Sequence, residues 1–121
     1  MPFEKRTRVE FYLPIRTDIS DYRTITDWLA EELAYSRGGS TLTSPFTGLY
    51  VSATRGSVIR DDVHILFCDF LLDVDGNYED QTEIDAYLND VRTLLLEALN
   101  EEDVWIVYYP INRAMGFGAA G

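Results

Sequence analysis

Apolar residues fall into two rhythms along this chain. From Arg8 to Ile15 they alternate, with Val9, Phe11, Leu13 and Ile15 on one side and Glu10, Tyr12 and Pro14 on the other. A period of two predicts a strand with one buried face. Pro14 brings no N–H to a ladder, so the strand is expected to fray there. From Tyr22 the period lengthens, and Tyr22, Ile25, Trp28, Leu29 and Leu33 follow spacings of three and four. That predicts a helix from about Asp21 to about Ser36. Asp18, Ser20 and Asp21 offer side chains for its start, and Arg37-Gly38-Gly39 supplies a basic last turn and a stop.

A loop with Pro45 inside it leads to a second strand over 48–54, and Arg55-Gly56-Ser57 is a turn signal. The longest apolar run, from Val63 to Leu72, predicts a central strand buried on much of both faces. A polar loop from Asp73 to Asp80 follows, and Thr82 is placed to cap a second helix. Ile84, Tyr87, Leu88, Val91, Leu94, Leu95, Ala98 and Leu99 form its apolar stripe. The last strand is expected over 103–109, stopped by Pro110. Residues 1–7 are a polar lead-in and 114–121 a loose tail.

Strand, helix, strand, strand, helix, strand makes two βαβ units of matching layout. Right-handed crossovers leave a gap inside each unit, and interleaving the units fills both. The expected fold is therefore α+β and ferredoxin-like: a four-stranded antiparallel sheet in order 4-1-3-2, with both helices on one face. A chain of 121 residues is expected to form one such domain over 1–121.

Composition narrows the function. The formal net charge is -11, and residues 73–103 carry eleven acids against the single base Arg92. A field of that sign repels phosphate backbones and anionic lipid, so neither nucleic acid nor membrane is an expected partner. No apolar run reaches the ~20 residues that cross a bilayer, and the start lacks the apolar centre of a signal peptide. One cysteine cannot form an internal disulfide. A cytoplasmic location is expected.

Few constellations offer chemistry. Asp73, Asp75 and Asn77 open like a calcium loop, but Tyr78 stands where glycine is needed and Ile84 where the bidentate glutamate belongs. Gly38-Gly39-Ser40-Thr41 has the composition of a phosphate cradle, yet it follows a helix instead of preceding one, and reads as a helix stop. Pro2 occupies the position whose amine serves tautomerases, but four charged residues separate it from the alternating run. His64 and Cys68 lie four apart on a strand, roughly 14 Å, too far for a nucleophile–base pair. No metal and no cofactor are expected.

The distinctive feature is aromatic. Eight tyrosines and two tryptophans accompany six phenylalanines. With Val9, Phe11 and Leu13 under the helices, Tyr12 faces the open side of the sheet. Placing Val63, Ile65 and Phe67 inward puts His64, Leu66, Cys68 and Phe70 on that open side. Val104 and Ile106 inward leave Trp105, Val107 and Tyr109 outward. The ligand or interface candidates are thus Tyr12, His64, Leu66, Phe70, Trp105 and Tyr109. An apolar sheet face needs a cover, and a second copy is the commonest one.

The span from Val9 to Tyr109, with Gly38-Gly39-Ser40-Thr41 and Gly48-Leu49-Tyr50, resembles a group of small bacterial ferredoxin-like proteins of unknown function. The layout is also similar to dimeric α+β barrel proteins, in which two such sheets enclose a pocket. The first resemblance implies no catalytic residues. The second implies a homodimer, with roles ranging from monooxygenase or isomerase to binding module. The expectation is a non-catalytic module that self-associates and binds a small molecule or partner protein. The alternative is a small cofactor-independent enzyme with its pocket on the open face.

Overall fold

The alternating run belongs to one long strand, β1 (Phe3–Pro14). It is the centre of an antiparallel sheet, pairing with β4 (Val58–Phe70) on one side and β5 (Trp105–Ala114) on the other. The computed structural model describes residues 3–115, so Pro2 and residues 116–121 of the tail expected over 114–121 lie outside it, while Ala114 is strand. Residues 3–7, expected as lead-in, are strand as well. They have a partner because β5 runs through Pro110, opposite Thr7, and on to Ala114. β5 is an edge strand, where a missing N–H is tolerated.

The first helix, α1 (Tyr22–Arg37), starts without a side-chain cap from Asp21. Asp18 is held instead by Arg16 at 2.7 Å. The helix ends at Gly38, whose φ of 92° lies in the left-handed region and whose N–H donates to Ala34. Next comes the edge of the sheet, expected as one strand over 48–54. It is two pieces, β2 (Thr41–Leu42) and β3 (Phe46–Val51), and both pair with β4. Pro45 sits in the break between them. The sheet has five strands in order β2-β4-β1-β5, with β3 beside β4, where four strands in order 4-1-3-2 were expected.

The second helix, α2 (Tyr78–Ala98), begins four residues before Thr82. Asn77 caps it by accepting the Asp80 N–H at 3.1 Å, and Glu79 and Asp80 put negative charge in the first turn. The acidic loop before it is bonded to itself: Asp73 accepts the N–H groups of Asp75 and Gly76, and Asp80 accepts that of Asp73. These carboxylates thus serve as turn and cap acceptors.

The helices and sheet share one core. Val9, Phe11 and Leu13 of β1 meet Leu66, Cys68 and Phe70 of β4, Leu29 and Leu33 of α1, and Ile84, Leu88, Val91 and Leu95 of α2. Burying each large apolar side chain contributes about 1.5–3 kcal/mol. Register fixes the faces, because directly opposed residues lie on the same side of a sheet. Val9 opposes Cys68, Phe11 opposes Leu66 and Thr7 opposes Phe70. The β4 phase expected from sequence is therefore reversed. Leu66 and Phe70 are fully buried beneath the helices, and Val63, Ile65 and Phe67 face the open side.

Candidate functional site

The open face is built in rows across three strands. Ile65, Tyr12 and Trp105 form one row, Phe67, Glu10 and Val107 the next, and Asp69, Arg8 and Tyr109 the third. The apolar members lie at the Trp105 end. Trp105 is 66% exposed and Tyr109 is 39% exposed, while Ile65, Phe67 and Val107 are half-buried. These side chains face away from both helices, so neither helix covers them.

Glu10 is the polar hub of the face. Its two carboxylate oxygens accept from Tyr12 at 2.9 Å and from Tyr109 at 2.6 Å. Hydrogen bonding to that carboxylate, and secondarily burial, holds both phenols above their ordinary pKa. Beside it, Arg8 grips Asp69 through two bonds of 2.7 and 3.0 Å, and its guanidinium lies 5.1 Å from the centre of the Phe67 ring. The charges on this face are thus satisfied within it. On covering, Arg8 and Asp69 stay paired and Glu10 keeps two hydrogen bonds, which lowers the cost of burying them.

At one end, Tyr12, Pro14, Leu49, Val63 and Trp105 line a groove of about 270 Å³, rimmed by Asp61, Glu101, Glu102 and Asp103. Glu101 pairs with Arg16 at 2.9 Å, Asp103 with Arg92 at 2.9 Å, and Glu102 accepts from the Ser52 hydroxyl at 3.2 Å.

The six sequence candidates separate by face. Tyr12, Trp105 and Tyr109 come together on the open side. Leu66 and Phe70 belong to the core, and His64 lies on the helix side, its Nδ1 at 2.8 Å from the Thr43 carbonyl oxygen. Tyr12 and His64 therefore do not share a pocket. Cys68 is buried, and desolvation pushes its thiol up to about 11, which disfavours the nucleophilic thiolate. Phe67, Ile65 and Val63 were assigned to the wrong side. Glu10 was placed outward but not recognised as an acceptor, although its spacing of two from Tyr12 sets both on one face.

Among the described residues, no group of three or more His, Cys, Asp or Glu side chains is arranged to hold a metal ion. No described helix is long and apolar enough to cross a membrane.

No family model matches the chain, and no curated protein matches it. Among solved structures it is similar to a phage SAM lyase in complex with S-methyl-5'-thioadenosine, at 13% identity and TM-score 0.55 over 90% of each chain. It is also similar to the divalent cation tolerance protein CutA1 from Thermus thermophilus, at 19% identity and TM-score 0.49, over 96% of this chain and 90% of that one. The likeness to the lyase is one of fold: an α+β chain of two helices and an antiparallel sheet.

Proposed function

We propose that the protein is a small, non-catalytic cytoplasmic module that self-associates, as a homodimer at least, by burying its open sheet face. One observation carries this reading. The outward residues Tyr12, Ile65, Phe67, Trp105 and Val107 form a continuous apolar and aromatic surface opposite the helices, and its charged groups have partners within it: Arg8 with Asp69, and Glu10 with the Tyr12 and Tyr109 hydroxyls. Aromatic residues with a depleted free charge are the composition of an interface centre. The expected ferredoxin-like order 4-1-3-2 is retained in this reading, with β2 and β3 together as one broken edge strand, and the whole chain acting as one domain. In a Trp28→Phe variant, Trp105 is the single tryptophan. Its emission should move to longer wavelength on dilution as the face becomes wet. An emission maximum that is red-shifted and independent of concentration would defeat the reading.

A second reading has its own support in the groove of about 270 Å³ beside Tyr12 and Trp105. A small molecule with an apolar body would fit its walls, and its acidic rim favours a positive group. The phage lyase, whose structure holds S-methyl-5'-thioadenosine, carries a comparable fold. Catalysis on such a ligand is the enzyme alternative. It needs an acid–base pair in the groove, and the expected pairing of Tyr12 with His64 does not supply one. Quenching of Trp105 by a small organic cation, with no quenching by its neutral isostere, is the outcome that supports binding there.

A further inference from the structure

A chain of net charge -11 concentrates guanidinium groups at one place. Where α1 runs into β2, Arg6, Arg37 and Arg113 line a cleft of about 390 Å³ together with Gly38, Gly39 and Ser40. These residues come from three distant parts of the chain, brought together by the pairing of β1 with β5 and by the turn that ends α1. The acids nearby are engaged. Asp69 is held by Arg8, and Glu4 bonds Arg6 and stands 3.7 Å from Arg113.

Arg37 is the distinctive member. Its guanidinium lies 4.3 Å from the Phe70 ring centre and 5.0 Å from that of Tyr87, a position set by two aromatic side chains. The nearest carboxylate is Glu83 at 3.8 Å, beyond hydrogen-bond reach. No guanidinium N–H of Arg37 has a hydrogen-bond acceptor among the described residues, and its Nε is buried. A planar fork held beside two rings, with unmet donors, suits an oxyanion. The backbone adds to it. Gly38 donates to Ala34, while the N–H groups of Gly39 and Ser40 have no acceptor among the described residues. The Ser40 hydroxyl is turned away, donating to Ala30 at 2.8 Å.

We propose that this cleft binds a phosphate-class oxyanion, between the Arg37 fork, the Arg6 and Arg113 guanidinium groups and the Gly39–Ser40 amides. The anion meets a helix's C-terminal turn here, so its attraction comes from the three arginines and not from a helix dipole. The cleft is larger than one phosphate, which leaves room for the small body of a phosphorylated metabolite. The cleft also takes in Phe67 and Asp69, so it adjoins the open sheet face at its far end from Trp105.

The test is an amide NMR titration of the full chain at constant ionic strength. Inorganic phosphate and ribose 5-phosphate are the probes, and acetate and chloride are the controls. The expected result is saturable shifts at Gly39 and Ser40 with a phosphate probe and none with chloride. Saturation by inorganic phosphate alone identifies the free ion as the ligand; tighter binding of ribose 5-phosphate identifies a phosphorylated molecule. Arg113→Gln changes an exposed side chain, and Arg37→Lys keeps the charge but loses the fork. Each should weaken binding by roughly tenfold, as loss of one charge-assisted hydrogen bond does. Shifts that grow linearly without saturation, or affinity retained in a folded Arg113→Gln, would overturn the proposal. If Arg37→Lys fails to fold, the Arg113→Gln result decides.

Discussion

The two faces of the sheet use similar side chains for different ends. The covered face holds Val9, Phe11, Leu13, Leu66 and Phe70, all fully buried against both helices. The open face holds Tyr12, Ile65, Phe67, Val107 and Trp105, with Glu10, Arg8 and Asp69 among them. Aliphatic residues dominate where packing must be dense. On the open face two of the aromatic residues, Tyr12 and Trp105, carry a polar tip. The lesson is that hydrophobicity alone does not separate the core face of a sheet from its open face. The distinction lies in whether polar groups are interleaved and satisfied in place, as Glu10 is by its two tyrosines.

Four substitutions or titrations probe that contrast. The largest effect belongs to the covered face. Leu95 is fully buried on α2, and Leu95→Ala should cost about 2–5 kcal/mol through lost burial and a cavity. A denaturant midpoint matching the wild type would break the assignment of core and face.

Next comes alkaline pH acting on Cys68, also under the helices. Burial raises its folded pKa to about 11, above the 9.0 of an ordinary thiol. A raised pKa means the contribution to stability is complete below the unfolded value and declines as pH rises through about 11. Urea melts between neutral and alkaline pH should show that decline, and Cys68→Ala should flatten it. A thiol reagent at pH 8 should label Cys68 only as fast as the chain unfolds. Immediate labelling would place the residue outside the core.

On the open face the expected changes are smaller. Glu10→Gln removes the charge that accepts from both tyrosines and should cost about 1 kcal/mol, because the site is partly solvated. The phenols of Tyr12 and Tyr109 should then titrate closer to the ordinary value near 10. Tyrosinate absorbance reads this directly. An unchanged titration curve would separate Glu10 from the two hydroxyls. Trp105→Glu should shift the stability of the unassociated chain by only about 0.5 kcal/mol, as surface changes do. A large loss of stability there would mean that Trp105 supports the fold itself.

Much of this contrast was written in local pattern. The strict alternation of Val9, Phe11 and Leu13 gave the phase of β1, and Val104 and Ile106 gave that of the last strand. Both helices were legible from their stripes, and only the start of the second was misplaced, because Asn77, not Thr82, supplies its cap. The phase of β4 was not legible. Val63, Ile65 and Phe67 are as apolar as Leu66, Cys68 and Phe70, so only pairing with β1 decides which set faces the helices. That one-residue ambiguity moved Leu66 and Phe70 into the candidate surface and Phe67 out of it. The arginine cleft was invisible for another reason. Arg6, Arg37 and Arg113 are far apart in the chain, and Gly38-Gly39-Ser40-Thr41 follows its helix, the reverse of a familiar phosphate motif.

Sedimentation equilibrium at micromolar concentration tests the central claim most directly, run on the wild type and on Trp105→Glu. The account predicts a wild-type mass of at least two chains of 13.9 kDa, and a folded monomer for Trp105→Glu. A wild-type mass of one chain, or an assembly that persists unchanged in Trp105→Glu, would contradict it.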